Sequence, residues 1–296
     1  MHASTWMASR PRALLARLLP RRGGSDGEDR ERQQRLARLR GPLELRAALL
    51  ALLLTPGARR EIRAWRDETS ALPGAAQIRH DIEALAPMAR LPWFELFAER
   101  AAQAPRIERR ALVEAARRVM RADGIVRAQD RLWWLLLRRR LGEVPPATLG
   151  GASDNDLSRL DAARVESIGV FSAFLSRLVP WPEVDVSIAE ASADGLDDAG
   201  ERWYGLVMSR WEPRVVAPPR ELPDGDPMLR ALRDIQTLPW MLKPVLVRAW
   251  HDAMVEIAGD GPPNPTAADS LRLACGLLDC PVPPALARHY IEPARK

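Results

Sequence analysis

Three Asp-Gly pairs, at 123–124, 194–195 and 260–261, recur in similar surroundings along the chain. A turn repeated in this way restricts the fold to an array of stacked hairpins. Ala122-Asp123-Gly124-Ile125 runs on through Ala128 to Asp130-Arg131, and Ala193-Asp194-Gly195-Leu196 runs on through Ala199 to Glu201-Arg202 with the same spacing. The third copy, Gly259-Asp260-Gly261, reaches Thr266 and Asp269 after an apparent insertion holding Pro262-Pro263. The first and third copies also close alike, on Val144-Pro145-Pro146-Ala147 and Val282-Pro283-Pro284-Ala285, and each follows a Leu-Pro-Trp, at 91–93 and 238–240.

Physical reasons make this a helix–turn–helix unit. Glycine tolerates the left-handed conformation that ends a helix. An acid placed in the first turn of the next helix favours the positive end of its dipole, so Asp130, Glu201 and Asp269 are expected at its third position. Thr266 with Asp269 has the pattern of a capping box. Ile125 and Leu196 are expected to plug the core beneath their turns. The acids at Asp123, Asp194 and Asp260 leave a second reading open, a cation site. Asp194, Asp197, Asp198 and Glu201 resemble a fragment of a calcium loop, but the alternating oxygen ligands and terminal bidentate Glu of a full loop are missing. In the first copy only Asp123 and Asp130 flank Arg127.

Helical periodicity continues outside the repeats. Ile78, Ile82, Leu85 and Met88 share a face, and Val245, Leu246, Ala249, Trp250, Ala253, Met254 and Ile257 form a wider stripe. The run from Leu132 to Leu137 is apolar nearly all round and belongs in a central helix. Few β-branched or aromatic residues interrupt the Ala, Leu and Arg, which favours helix over strand. The expected class is all-α: a multi-helix array in two lobes behind a flexible arm. The divisions are 1–40, a basic and partly disordered arm; 41–148, a lobe with the first hairpin; and 149–296, a lobe with the second and third. The connection near Gly142–Asp156 separates the lobes.

Charge and cysteine content narrow the function. The formal charge is +5, yet residues 1–40 hold ten arginines against four acids, so the rest of the chain sums to −1. That excludes a basic nucleic-acid-binding body. Within the arm, Leu14, Leu15, Leu18 and Leu19 share a helical face beside Arg10, Arg17 and Arg21, so residues 10–22 are either a short interfacial helix making weak peripheral membrane contact or a frayed tail. Cys275 and Cys280 have no second ligand pair for zinc, and Cys275 falls on the apolar stripe of Leu271, Ala274 and Leu278. Two cysteines offer no disulfide framework, which fits a cytoplasmic chain, with the arm at the inner face of the membrane. Leu43–Leu54 is the best candidate for a membrane span, but it carries Glu44 and Arg46 and falls short of the roughly 20 apolar residues needed.

The unit RADGIVRAQDRLWWLLLRRRLG, residues 121–142, resembles the hairpin of tellurite-resistance TerB-like helical domains. More of the chain is similar to the helical C-terminal region of bacterial HtpX-like zinc metallopeptidases: LRAALLALLLTPGARREIRAW, MARLPWFELFAERAAQAP, the first hairpin and LRLACGLLDCPVPPAL occur in that order between Leu45 and Leu286. That resemblance implies helical hairpins and a place near a membrane peptidase. It transfers no catalytic residue, because the peptidases need His-Glu-x-x-His. Here His80 and His251 are each followed by Asp, position 255 is Val255, and His2 and His289 stand alone. Phosphate-binding, dinucleotide and nucleophile-elbow motifs are missing as well. No catalytic residue, metal ligand or cofactor is assigned. The expectation is a non-catalytic helical interaction or regulatory module with a protein partner, accompanying a membrane metallopeptidase in envelope or stress quality control. The alternatives are a truncated or degenerate metallopeptidase and a TerB-like divalent-metal or stress-response module.

Overall fold

The computed structural model describes residues 25–143, 156–179, 198–211, 225–259 and 263–293. Among the described residues are thirteen α-helices, two 3-10 turns and no strand, so the chain is all-α as its composition and periodicity imply. The first unit, Met1–Arg38, is described through one helix, α1 (Ser25–Arg38), which lies in the stretch that the sequence reads as a basic, partly disordered arm. An i,i+3 ion pair of Asp29 with Arg32 and the basic last turn of Arg35 and Arg38 support it. Residues 10–22 lie outside the described residues.

The second unit, Leu39–Lys296, is compact. Its N-terminal part packs α3 (Arg59–Thr69), α4 (Ala75–Glu83), α5 (Pro87–Ala101) and α6 (Arg106–Met120) around α2 (Pro42–Leu52). Pro42 opens α2 at a position where a missing N–H costs nothing, and Glu44 Oε2 accepts from Gly41 N–H at 2.9 Å. Every residue from Ala47 to Leu54 is buried. The apolar run that is too short for a membrane therefore serves as a core helix, and among the described residues no helix is long and apolar enough to cross a membrane. Trp65 fixes α3 to it by donating from Nε1 to the Ala47 carbonyl at 3.0 Å.

Helix α7 (Ala128–Arg140) carries the Leu-Trp-Trp run and is buried along Leu132, Trp133, Leu135, Leu136 and Leu137. The Phe94 ring meets Trp133 edge-on at 4.7 Å. Beyond the undescribed residues 144–155, where the sequence reading divides the lobes, come α8 (Ala162–Leu175), α9 (Asp198–Met208), α10 (Gly225–Gln236), α11 (Leu242–Ala258), α12 (Pro265–Leu278) and the short α13 (Pro284–Ala287). Asp161 caps α8 by accepting from Arg164 N–H at 2.8 Å. Helix α12 packs on α5 and α7 as well as on α10 and α11. It comes close to α7 at Gly276, where a Cβ would stand 2.9 Å from Leu136 Cδ1 and push that side chain aside. Leu136→Ala is expected to cost about 2–5 kcal/mol in urea unfolding. A loss below about 0.5 kcal/mol would make this contact peripheral.

The first Asp-Gly turn is present, and Gly124 has φ +86°, the left-handed backbone expected of it. Asp130 is the third residue of α7 and accepts from Arg127 N–H at 3.0 Å, as the dipole argument requires. Two expectations fail. Ile125 is 57% exposed instead of plugging the core, because its N–H is drawn to Asp123 Oδ1 at 2.9 Å and Ala128 takes the buried place. In the third copy Asn264 is the cap, accepting from Thr266 N–H at 2.8 Å, and Pro265 starts the helix. Asp269 thereby moves into the second turn, where it is buried. Residues 193–197 of the second copy, Asp260-Gly261 and Val144–Ala147 lie outside the described residues. In the α11 stripe, Val245 is exposed and Ile257 half-buried, while Leu246, Ala249, Trp250, Ala253 and Met254 are buried.

Candidate functional site

Around the first turn, three carboxylates converge on one guanidinium. Arg127 Nη2 donates to Asp123 Oδ2 at 3.2 Å, and Nη1 lies 3.6 Å from Glu61 Oε1 and 3.8 Å from Asp130 Oδ2. Thr55 Oγ1 accepts from the same Nη1 at 3.2 Å. Glu61 is buried on α3 and accepts from Thr55 N–H at 2.6 Å. Burial pushes the Glu61 carboxyl above its ordinary range against the pull of the Thr55 hydrogen bonds, and burial likewise raises Asp130. Asp123 goes the other way: burial alone would raise it, but the Ile125 N–H and Arg127 hold it below its usual value. The Arg127 guanidinium stands between these acids and supplies their counter-charge. No group of three or more His, Cys, Asp or Glu among the described residues is arranged to hold a metal ion.

A second polar cluster has no counterpart in the sequence reading. Proline cannot donate, so Pro92 inside α5 leaves the carbonyl of Met88, four residues earlier, without its helical partner. Ile291 N–H donates to that carbonyl at 3.1 Å and draws the C-terminal segment onto α5. Beside it, Tyr290 OH donates to buried Asp269 at 3.0 Å. Arg272, 6% exposed, donates from Nη2 and Nε to Glu95 Oε2 at 2.6 and 3.2 Å, and from Nη1 to Glu292 at 2.7 Å. Its guanidinium also covers the Tyr290 ring at 4.4 Å. Arg90, half-buried nearby, donates to the Leu52 carbonyl at 3.1 Å.

This cluster is internally satisfied and has a clear titration behaviour. Burial pushes Asp269 up to about 7, against the Tyr290 hydroxyl and the charges of Arg272 and Arg90. Burial also raises Tyr290, and the adjoining Asp269 raises it further. For Arg272, burial is outweighed by its hydrogen bonds to Glu95 and Glu292, so it stays fully charged. A carboxyl raised on folding binds its proton more tightly in the native state. Its contribution to stability is therefore whole below about pH 4, the ordinary carboxyl range, and gone above about pH 7. Asp269→Asn keeps an acceptor for Tyr290 and is expected to lose this component: thermal midpoints of the parent fall across that window relative to the variant. Parallel curves for the two would place the titration elsewhere.

The remaining candidates are quieter. Cys275 and Cys280 are free, buried thiols. Burial raises both, Cys280 to about 11 and Cys275 further, which removes them as nucleophiles at neutral pH. His251 is buried beside Trp250, with Nδ1 3.4 Å from Asp252 Oδ1, and His80 is exposed. Of the paired Leu-Pro-Trp sequences, one sits inside α5 with Trp93 only 2% exposed. The other forms the turn before α11 and leaves Trp240 70% exposed, with Met241 and Val245 also at the surface. No protein-family model, curated protein or solved structure matches this chain.

Proposed function

We propose that this chain is a non-catalytic helical interaction module whose partner contacts Trp240, Met241 and Val245. The exposed Trp240 carries the reading. Tryptophan is among the residues that dominate binding energy at interfaces, and its ring loses more by standing in water than any other side chain of this surface. The twin Trp93 is buried, so the sequence pattern itself does not require exposure. Two further observations support a binding role over a catalytic one. The acids of the first turn are held by Arg127, and those of the C-terminal cluster by Arg272 and Tyr290. The thiols are buried and held protonated. The resemblance to the helical region of HtpX-like metallopeptidases makes a membrane metallopeptidase the first partner to co-express.

A photo-crosslinking amino acid placed at position 240 tests the reading in cells. The expected result is one discrete protein adduct, absent when the same group stands at exposed Arg66 on α3. Identical patterns at both positions, or no adduct at 240, would remove the assignment.

A further inference from the structure

Between the start of α2, the end of α5 and the start of α6, a groove of about 530 Å³ opens to solvent. That size lies within the usual range of ligand-sized clefts. Leu45, Ala101 and Leu112 are buried in its floor, and Leu43 stands exposed on its edge. Arg40, Arg46, Arg100 and Arg109 line it, against one carboxylate, Glu108. This is a concentrated positive rim on a chain whose residues 41–296 sum to −1.

The rim arginines are not equivalent. Arg46 is neutralised by Glu68, to whose carboxylate and carbonyl it donates. Arg100 donates to the Leu39 carbonyl at 2.9 Å, and Arg109 to the Leu141 carbonyl at 2.6 Å. A neutral carbonyl orients a guanidinium without cancelling its charge. Partial burial and the neighbouring Arg40 push Arg100 below its ordinary value, a crowding that an incoming anion would relieve. Gly142 leaves room for the Arg109 guanidinium. Gly142 has φ +72°, and a Cβ there would stand 2.7 Å from Arg109 Nη1. Helix α6 also begins in the groove wall at Pro105, so the positive end of its dipole adds to the same field.

We propose that this groove docks an acidic amphipathic segment of a partner protein, its apolar side chains between Leu45, Ala101 and Leu112 and its carboxylates on Arg100 and Arg109. Charge complementarity selects this occupant. The chain's own arm carries ten arginines against four acids in residues 1–40 and has the wrong sign. A bilayer surface would meet the arginines but could not reach a floor set between helices. The recognition mode is a helix laid in a groove, with apolar anchors at i, i+3 and i+4.

The test uses the full chain and a fluorescein-labelled 16-residue synthetic helix with leucines at that spacing and glutamates on both flanks, read by fluorescence polarisation. Saturable binding that weakens with salt is expected, and none with the same peptide carrying Lys for Glu. The pair Arg100→Glu and Arg109→Glu should weaken binding by about tenfold or more. Ala104→Trp, which fills the groove and leaves its charges, should weaken it as well, while Arg66→Glu should not. Circular dichroism melts establish that each variant is folded. Equal binding of the Glu and Lys peptides, no binding of either, or indifference to the groove variants would overturn the proposal. So would groove-dependent sedimentation with phosphatidylglycerol vesicles in the absence of peptide binding. Trp240→Glu is expected to leave peptide binding unchanged, so this site and the Trp240 surface stand or fall separately.

Discussion

Trp250→Ala is expected to lower stability by about 3–5 kcal/mol, near the top of what a single core truncation removes. Trp250 is fully buried on α11 and joins three helices. Its ring lies 5.7 Å from that of Phe171, its Nε1 donates to Ser172 Oγ on α8 at 3.0 Å, and its own carbonyl accepts from Trp203 Nε1 on α9 at 3.1 Å. Truncation opens a void and leaves the Ser172 hydroxyl without its donor. Trp250→Phe retains most of the packing and is expected to cost far less, separating the hydrogen bond, worth about 1 kcal/mol, from the cavity. Urea midpoints at unchanged slope are the measurement. A loss below about 1.5 kcal/mol for the alanine variant would mean that α8, α9 and α11 close over the gap.

The second large effect belongs to Arg272. Removing one partner of a buried ion pair costs about 3–5 kcal/mol, because the other charge remains desolvated. Arg272→Ala is expected at the low end of that range, most of it through Glu95, whose side chain keeps 22% of its surface in water. Glu292 is paired at a side chain 52% exposed and contributes little. Arg272→Lys should recover only part of the loss, since one ammonium cannot satisfy both oxygens of Glu95 and reach Glu292. A second readout separates a local from a global effect. Protection of the Ile291 amide against hydrogen exchange should collapse in Arg272→Ala, while the amides of α2 keep theirs at equal denaturant distance from unfolding. Retained protection at Ile291 would show that the Met88 carbonyl holds the C-terminal segment alone.

The helical class and much of the core are legible in the sequence because they are local. Apolar spacing along 128–140 and 265–278 places Trp133 or Trp134, Leu136, Leu271 and Cys275 inside; Trp133, Leu136, Leu271 and Cys275 are buried, as is Ala249, while Trp134 is half-buried. The left-handed backbone at Gly124 and the first-turn position of Asp130 follow from the same short-range rules. The sequence is ambiguous where two local rules compete, and silent where a partner is distant along the chain. Asn264-Pro265 is a stronger helix start than Thr266, and that one choice moves Asp269 from a cap to a buried acid. The Glu95–Arg272 pair spans 177 residues, and no periodicity announces it. Pro92 was the available signal, since a proline within a helix frees a carbonyl that something must satisfy. The two Leu-Pro-Trp segments differ only in context: one continues a helix against α2, and the other turns into α11.

The close meeting of α7 with α12 has a consequence for how the chain is made. Arg139 on α7 and Asp279 at the end of α12, 140 residues apart, are joined by a hydrogen bond of 3.2 Å. At ribosomal speeds of about 5–20 residues per second, the face of α7 that Gly276 will cover emerges roughly 7–28 s before its cover exists. Throughout that interval Leu136 offers a sticky strip to any neighbouring nascent chain. Slow decoding between the two helices would lengthen the exposure, and a chaperone able to hold the strip would shorten its effect, so the yield of this protein is expected to follow the pace of translation as well as the depth of its final energy minimum.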